Sequence, residues 1–203
     1  MKTLILARHA HAVSNVGDTI NAVPPGEGLS LRGIEEARAL GLTLATEPID
    51  LGIGSRLART QQTLAVALEG RRTPLSVEPL LDEIDFGAFE GGTLASYREW
   101  AWEQPPDADC PGGGESRVDA AIRFADGLES LLDAPAATVL AVSHALLIRY
   151  VLGAAEGTLP AARVESVPHA VPFRLERPSV QAAVASLRAW AGAPRFADTP
   201  IGG

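Results

Sequence analysis

The chain has 203 residues, of which 46% are apolar and 21% are charged. This composition is typical of a folded globular protein, and the length suits one domain with a sizeable core. The formal net charge of −8 argues against a nucleic-acid partner, because such proteins normally present a basic face. An anionic ligand would need local cations to bind against this field, so the positions of single arginines are informative.

The short length of the apolar runs bears on the compartment of the protein and on its contact with membranes. The first apolar run ends at Arg8 and is shorter than the roughly 7–15 residues of a signal-peptide core. No run reaches the roughly 18 uninterrupted apolar residues of a membrane span. The one cysteine, Cys110, cannot form an internal disulfide and fits a reducing compartment. We therefore expect a cytoplasmic protein with no membrane partner; its oligomeric state stays open.

Short apolar runs alternate with helical segments along the chain. The predicted strands are 3–7, 51–54, 75–77, 138–142 and 171–175. The predicted helices are 30–45, 58–69, 116–132, a segment through 147 and 151, and 179–191. This alternation predicts an α/β fold, a three-layer sandwich with a mostly parallel sheet and helices on both faces. In such folds, ligands bind beyond the carboxyl ends of the strands.

One mid-chain segment breaks this alternation. We predict a single domain over residues 1–203, with a lid-like insertion at 93–114 and an extra C-terminal helix at 179–191. The aromatic residues of the insertion are Tyr97, Trp100 and Trp102. These rings could stack on a ligand, or they could belong to a helix that simply packs on the domain.

Cationic side chains follow the first two predicted strands. Arg8 and His9 come directly after the first strand. Guanidinium donors match phosphate oxygens in pairs, and a neutral imidazole is a competent nucleophile near pH 7. Arg59 follows the second strand and lies in the first turn of a helix, whose amino end attracts anions. Arg56, by contrast, fits a solvated helix face.

An acidic residue and a second histidine complete the candidate set. Glu83 lies among apolar residues such as Ile84, and burial there would raise its pKa as a general acid requires. The nearby acids Asp82 and Asp85 fit a loop without chemistry. His144 follows a buried strand directly, as His9 does. His169 lies on a less regular segment, and no strand end supports a functional role for it.

Taken together, these segments resemble the histidine phosphatase superfamily, also called the phosphoglycerate mutase-like family. That family shows Arg-His-Gly early, Ser-x-x-x-Arg with a following Gln-Thr, Glu-x-x-x-Gly midway and His-Gly late. The matching segments here are Arg8-His9-Ala10, Ser55 to Arg59 with Gln62-Thr63, Glu83 to Gly87, His144-Ala145, and Gly114-Glu115-Ser116 before a long helix. The resemblance covers roughly residues 1–175, and four motifs in the same order make it specific.

The resemblance implies a role for each matching residue. It implies that His9 takes a phosphoryl group and passes it to water, and that Glu83 protonates the leaving alcohol and then activates water. The implied phosphate contacts are Arg8, Arg59, His144, Asn15 and the backbone N–H of Ala145. His11 is expected to meet the rest of the substrate. The implied enzyme is a phosphoric monoester hydrolase of the histidine acid phosphatase type, acting on a small phosphorylated substrate without a metal or cofactor.

The chain departs from the family pattern around both histidines. Ala10 and Ala145 stand where the family has glycine; alanine keeps the backbone N–H but disfavours a positive φ. His11 and Ala12 replace the usual Glu or Gln and Ser or Thr. These departures leave the identity of the phosphate ester open.

Three other functions fit part of the sequence. A phosphoglycerate mutase would need extra cations in the insertion, where Arg98 is the only one, so hydrolysis is favoured. A metal-dependent amidohydrolase could use His9-x-His11, but few further histidines remain and the chain is short for a (β/α)₈ barrel. A catalytically silent binding module would have no use for both a nucleophile and an acid.

Overall fold

The computed structural model describes residues 1–197, so residues 198–203 of the predicted domain lie outside the described part. Its strands are β1 (Thr3–Arg8), β2 (Leu51–Gly54), β3 (Leu75–Val77), β4 (Thr138–Ser143) and β5 (Pro172–Glu176). Its helices are α1 (Leu31–Thr43), α2 (Ala58–Ala67), α3 (Leu94–Ala101), α4 (Arg117–Asp133), α5 (Ala145–Ala155) and α6 (Arg177–Gly192). The predicted α/β alternation is confirmed.

The five strands form one sheet in the order β3-β2-β4-β1-β5. The first four are mutually parallel, and β5 runs antiparallel to β1 at the edge. A mostly parallel sheet is therefore confirmed. Parallel neighbours end at the same edge of the sheet, so the residues that follow β1, β2 and β4 emerge close together.

Alternate residues of β1 separate the two faces of the sheet. Leu4 and Leu6 pack with residues of α4, α5 and α6. Ile5 and Ala7 point the other way and pack with residues of α1 and α2. All four side chains are buried, as expected for a parallel strand covered on both faces. The three-layer sandwich follows from this alternation.

Serine side chains cap two helices that flank the site. Ser30 accepts a hydrogen bond from the Gly33 N–H at the start of α1, and Ser116 accepts one from the Asp119 N–H at the start of α4. Each bond satisfies a backbone donor that the first helical turn leaves free. No helix within residues 1–197 is both long and apolar enough to cross a bilayer.

The mid-chain segment predicted as an insertion contains α3. The Tyr97 ring lies 4.6 Å from that of Phe86 in an edge-on arrangement, and the Trp100 ring lies 5.5 Å from that of Phe89. These two aromatics therefore pack on the domain. Trp102 is 39% exposed beyond the end of the helix. A lid-like movement of residues 93–114 stays a prediction.

The C-terminal helix is built into the core. Along α6, Val180, Ala183 and Leu187 are fully buried, and the Trp190 ring packs edge-on at 5.9 Å from that of Tyr150. The predicted helix at 179–191 is therefore present as α6, which helps to cover one face of the sheet.

Gly87 closes the loop that follows β3 against the backbone of residues 111–114. Its φ is +50°, and a Cβ there would collide with the Pro111 carbonyl oxygen. Gly113 also has a positive φ, +83°, but no atom lies within 4 Å of its Cβ position. We expect Gly113→Ala to lower the free energy of unfolding by about 1–2 kcal/mol, the cost of a left-handed alanine.

Gly87→Ala should lower the free energy of unfolding by more than this, because it adds a backbone collision to the same strain. Urea denaturation of both variants, monitored by circular dichroism, measures the difference. Equal losses in the two variants would show that the close packing of this loop contributes nothing.

Candidate active site

The two strand-end histidines meet at one edge of the sheet. Arg8 pairs with Ser143 in the parallel register of β1 and β4, so the next residues, His9 and His144, emerge side by side. The His9 N–H donates to the Ser143 carbonyl at 2.9 Å, which ties the two strand ends together. The centroids of the two imidazole rings are 5.3 Å apart.

The His9 ring is held in one tautomer. Its Nδ1 lies 2.8 Å from the Ala10 carbonyl oxygen, and because a carbonyl can only accept, Nδ1 carries the proton. Nε2 is then the unprotonated nitrogen. Burial lowers the pKa of His9 well below its usual 6.5, and the guanidinium groups of Arg59 and Arg8 lower it further. His9 is therefore a neutral, nucleophilic imidazole at neutral pH.

His144 is fixed from both sides of its ring. Its Nδ1 lies 3.4 Å from Nη2 of Arg59, which can only donate, and its Nε2 lies 2.9 Å from Oγ of Ser55. Nε2 therefore donates to the serine hydroxyl. Burial lowers the pKa of His144 well below 6.5, and the nearby Arg59 and His9 lower it further. Ser55, the serine of the Ser-x-x-x-Arg motif, thus orients His144 through this hydrogen bond.

The positive charges of Arg59 and Arg8 act on both rings, and each guanidinium is anchored to a backbone carbonyl. Arg59 lies in the first turn of α2 and donates from Nη1 to the Asn21 carbonyl at 2.6 Å. Arg8 donates from Nη1 to the Val167 carbonyl at 2.8 Å. Arg8 Nε has no hydrogen-bond partner, the one such buried side-chain nitrogen or oxygen in residues 1–197. A buried cationic donor without a partner matches an anionic oxygen.

Glu83 lies in the loop after β3, facing the same rings. Its Oε1 accepts from the Ile84 N–H at 3.1 Å, and its Oε2 is 3.8 Å from Nδ1 of His144. Burial raises the pKa of Glu83, against an opposing effect of the positive charge of Arg59. A carboxyl group with a raised pKa can hold a proton for transfer near neutral pH.

Arg123, on α4, fixes the loop that carries Glu83. It donates to the carbonyl oxygens of Asp82 at 2.9 Å and Glu83 at 3.2 Å, and it forms an ion pair with Glu115 at 2.7 Å. The Asp82 carboxylate is itself bound to Arg56, with Nε at 2.6 Å. Asp82, Arg56 and Arg123 therefore act as loop structure, and sequence patterns gave no sign of the part played by Arg123.

The alanines that replace the family glycines cause no backbone strain. Within residues 1–197, only Asp18 and Ala170 combine a side chain with a positive φ. Ala10 and Ala145 therefore adopt ordinary backbone conformations. The Ala10 N–H donates to Oγ1 of Thr63 at 3.0 Å, and Ala145 begins α5 beside the site.

Asn15 and His11 are engaged with neighbouring protein groups. Oδ1 of Asn15 accepts from the Ala12 N–H at 2.8 Å, and Nδ1 of His11 lies 2.9 Å from Oγ of Ser30. The amide NH₂ of Asn15 is left as its possible phosphate donor. Substrate contacts of both side chains stay predictions.

The structure also places His169 at the site, although its sequence context gave no sign of this position. Its Nδ1 donates to the His9 carbonyl at 2.8 Å, and its ring lies 5.4 Å from that of His9 and 5.5 Å from that of His11. His169 lies three residues before β5, which pairs with β1, and this pairing brings its ring to the site; a functional role for it stays untested. Within residues 1–197, no group of three or more His, Cys, Asp or Glu forms a potential metal site.

A cavity of about 120 Å³ opens beside Arg8 and Glu83. Its apolar and aromatic lining is Ile84, Phe86, Leu94, Tyr97, Trp102, Ala145, Leu146 and Val164, and its polar lining also includes Arg98, Arg117, Glu165 and Ser166. Two of the three aromatics singled out in the mid-chain segment thus face the cavity, while Trp100 packs behind them.

Comparison with known protein families shows which family the chain belongs to. The model of the histidine phosphatase superfamily, branch 1, matches residues 4–175. The chain belongs to this superfamily. Membership confirms the resemblance seen in the motifs and removes the metal-dependent amidohydrolase from consideration.

Relatives in this superfamily include both hydrolases and mutases. An adenosylcobalamin/alpha-ribazole phosphatase of Salmonella typhimurium is 30% identical over 172 residues, covering 78% of this chain and 81% of the relative. A 2,3-bisphosphoglycerate-dependent phosphoglycerate mutase of Gloeobacter violaceus is 30% identical over 169 residues, covering 75% and 74%. The structure of a mycobacterial glucosyl-3-phosphoglycerate phosphatase in complex with VO₃ superposes with a TM-score of 0.72 at 27% identity, covering 87% and 91%.

The buried histidines make stability depend on pH in a defined direction. Burial, followed by the charge of Arg8, lowers the pKa of His169 from 6.5 to about 4. An unfolded chain binds this proton near pH 6.5, whereas the native chain binds it only near pH 4. The free energy of unfolding should therefore fall as the pH drops from about 6.5 to about 4, by about 1.4 kcal/mol per pH unit for each such histidine.

His169→Gln should reduce this pH dependence of the free energy of unfolding by about the contribution of one histidine. The substitution removes one group that takes up a proton at a higher pH in the unfolded state than in the native state. Urea denaturation of wild type and variant between pH 7 and pH 4 measures the two slopes. Parallel curves would show that His169 titrates alike in both states.

Proposed function

We propose that the chain hydrolyses small phosphate monoesters through a phosphohistidine intermediate on His9. The observation that carries the proposal is the geometry at the end of β1. The buried imidazole of His9 holds its proton on Nδ1, so Nε2 is free to attack. Beside it, Arg8 Nε is a buried cationic donor without a partner. A nucleophile and an unsatisfied donor together suit a phosphoryl group.

In the first step, the Nε2 lone pair of His9 attacks phosphorus and the bond from phosphorus to the ester oxygen breaks. Glu83 transfers its proton to the leaving oxygen, which departs as an alcohol. In this proposal Arg8 and Arg59 donate to the phosphoryl oxygens, while His144 lies beside them on the neighbouring strand, with its Nδ1 facing Arg59 and its Nε2 N–H bound to Ser55. Positioning and charge stabilisation of this kind account for most of the catalysis of phosphoryl transfer.

In the second step, the Glu83 carboxylate takes a proton from water while the water oxygen attacks phosphorus. The phosphorus–nitrogen bond breaks, its electron pair returns to Nε2, and inorganic phosphate leaves. Glu83 is again protonated, so the cycle closes. The Ala145 N–H at the start of α5 and the Asn15 amide serve as further donors to phosphate oxygens in this proposal.

The ionisation of two groups supports the finer proposal of catalysis of the histidine acid phosphatase type. The depressed pKa of His9 keeps the nucleophile unprotonated well into the acidic range. The raised pKa of Glu83 keeps the acid protonated above the usual range of a carboxyl group. The pH range in which both groups have the required form therefore extends from acidic pH toward neutrality.

A mutase reaction is the second candidate, because several relatives carry that name. It would share the first step, but the phosphoryl group would return from His9 to an alcohol and not to water. The two reactions differ in one product, inorganic phosphate. Stoichiometric release of inorganic phosphate from a monoester identifies the hydrolase.

The central test is a covalent intermediate on His9. Incubation with an aryl phosphate and excess chelator, followed by rapid quenching, should yield acid-labile, base-stable phosphohistidine with steady release of phosphate. His9→Ala should abolish both, with a loss of more than about 10⁴-fold in kcat because the nucleophile is gone. His11→Ala is the matched control and should still form the intermediate. Full turnover by His9→Ala would overturn the mechanism.

The role of Glu83 predicts a dependence on the leaving group. An alkyl alkoxide needs a proton as it leaves, whereas 4-nitrophenolate leaves without one. Glu83→Gln should therefore lower kcat on an alkyl phosphate by about 10²–10⁴-fold and affect 4-nitrophenyl phosphate much less. Wild-type kcat/KM should fall as the pH rises through the pKa of Glu83, and this decline should vanish in the variant. Equal losses on both esters would remove Glu83 as the proton donor.

A further inference from the structure

We propose that Glu36 is a positioning residue that polarises the imidazole of His9 through one intervening peptide unit. Glu36 lies on α1, outside the segments that carry the family motifs. This proposal rests on the phosphatase function above and adds a residue to its first step. Its basis is a continuous pair of hydrogen bonds that runs from the Glu36 carboxylate to the nucleophile.

The peptide unit between Ala10 and His11 joins the two side chains. Its N–H, on His11, donates to Oε2 of Glu36 at 2.8 Å. Its carbonyl, on Ala10, lies 2.8 Å from Nδ1 of His9 and accepts the proton of that nitrogen. The N–H and C=O of a trans peptide point in opposite directions, so carboxylate, peptide and imidazole form one hydrogen-bonded series. Negative charge at one end of such a series makes the carbonyl at the other end a stronger acceptor.

A close approach of α1 brings the carboxylate to this peptide unit. A Cβ at Gly33 would collide with the His11 carbonyl oxygen, so a glycine is needed for the first turn of α1 to lie against this backbone. Ser30, which caps α1, donates from its backbone N–H to the same carbonyl at 3.0 Å. Glu36 follows Gly33 by three residues and therefore lies on the same face of the helix. The packing of helix against backbone thus sets the position of Glu36.

The preceding peptide unit, between His9 and Ala10, is also held at both ends. The His9 carbonyl accepts from Nδ1 of His169 at 2.8 Å, and the Ala10 N–H donates to Oγ1 of Thr63 at 3.0 Å. Ala10 itself is fully buried. The two peptide units that follow the nucleophile therefore have fixed orientations, and the Ala10 carbonyl stays directed at the imidazole.

The negative charge of Glu36 is only weakly offset by its cationic neighbour. Its other oxygen, Oε1, is paired with Nε of Arg32 at 2.8 Å. The Arg32 side chain is 70% exposed, whereas that of Glu36 is 21% exposed. Water screens an exposed cation strongly, so this pair leaves most of the negative charge acting on the peptide.

This contact affects the rate because attack of Nε2 on phosphorus places positive charge on the His9 ring. The resting ring is neutral, with its proton on Nδ1. Once the phosphorus–nitrogen bond has formed, the ring carries both the phosphoryl group and that proton, so it is an imidazolium. A carboxylate that acts on Nδ1–H stabilises this developing charge more than the neutral ring and lowers the barrier to phosphorylation. The second step removes the charge again, so the carboxylate does not accelerate it.

The two steps should therefore respond differently to Glu36→Gln. This variant keeps an oxygen acceptor for the His11 N–H but removes the charge. We expect phosphohistidine formation, measured by rapid quenching with 4-nitrophenyl phosphate, to slow about 5–10-fold, with the same half-saturating substrate concentration. Hydrolysis of the phosphoenzyme should not slow. Glu35→Gln removes an equal charge from the exposed neighbour on α1 and should leave both rates unchanged.

A second measurement does not depend on turnover. The proton NMR resonance of the His9 Nδ1–H, assigned by its loss in His9→Ala, reports the strength of the hydrogen bond to the Ala10 carbonyl. It should move upfield in Glu36→Gln and stay in place in Glu35→Gln. It should move downfield in Arg32→Gln, because that variant frees the carboxylate from its competing cation.

The outcomes distinguish polarisation by Glu36 from a merely structural role and from the phosphatase function. Equal slowing of both steps in Glu36→Gln, unchanged phosphohistidine formation, or an Nδ1–H resonance that does not move would each overturn the proposal. Absence of turnover and of phosphohistidine in the wild type would overturn the phosphatase instead, and the resonance would still test the contact. Circular dichroism checks folding.

If Glu36→Gln does not fold, the resonance in Arg32→Gln decides alone, since Arg32 is exposed. A downfield shift supports the proposal, and an unmoved resonance overturns it.

Discussion

The parallel pairing of β1 with β4 is the constraint on which the other features of the site depend. Their register places Arg8 opposite Ser143, and the strands are buried on both faces between helices. Neither strand can therefore shift without exposing its apolar side chains. His9 and His144 are the first residues beyond this rigid pair. The core fixes their relative position, so it does not depend on contacts between the rings. For this reason the two imidazoles stay in place although cations lie next to them.

Burial then decides the chemistry of these groups, and it acts in opposite directions on acids and bases. It lowers the pKa of His9 and His144 and raises that of Glu83, so burial favours the unprotonated form of the bases and the protonated form of the acid. Arg8 and Arg59 stay charged because a guanidinium has so high a pKa that burial cannot neutralise it. A site with buried cations and neutral imidazoles attracts a dianion despite the net charge of −8 of the whole chain. The positive charge is therefore confined to the site, whereas the chain as a whole is negative.

Strand ends were predictable from the sequence, whereas contributions from loops were not. The apolar runs of β1, β2 and β4 are short and bounded, so the residues after them could be assigned to one edge of the sheet. The positions of Arg8, His9, Arg59 and His144 follow from that rule alone. His169 could not be found in this way because its place depends on the antiparallel pairing of β5 with β1, a tertiary contact without a local signal. Arg117 lies three residues beyond the mid-chain segment 93–114, and its contact with Tyr97 of α3, which places it at the cavity, has no local sequence signal either.

The cavity shares Arg8, Glu83 and Ala145 with the proposed phosphoryl site, but much of its remaining lining comes from other elements, and this difference bears on specificity. The proposed phosphoryl contacts lie mainly at strand ends, which are bound to the core. The remaining lining of the cavity comes mainly from α3, the start of α4 and residues 164–166. Substitutions in these elements can change the accepted alcohol without moving His9, because no strand register depends on them. Relatives with a common fold but different named substrates fit this division. In this chain, α4 connects the two parts: Arg117 at its start lines the cavity, and Arg123, six residues later, fixes the loop of Glu83, so one helix positions both the proposed proton donor and a cation of the cavity.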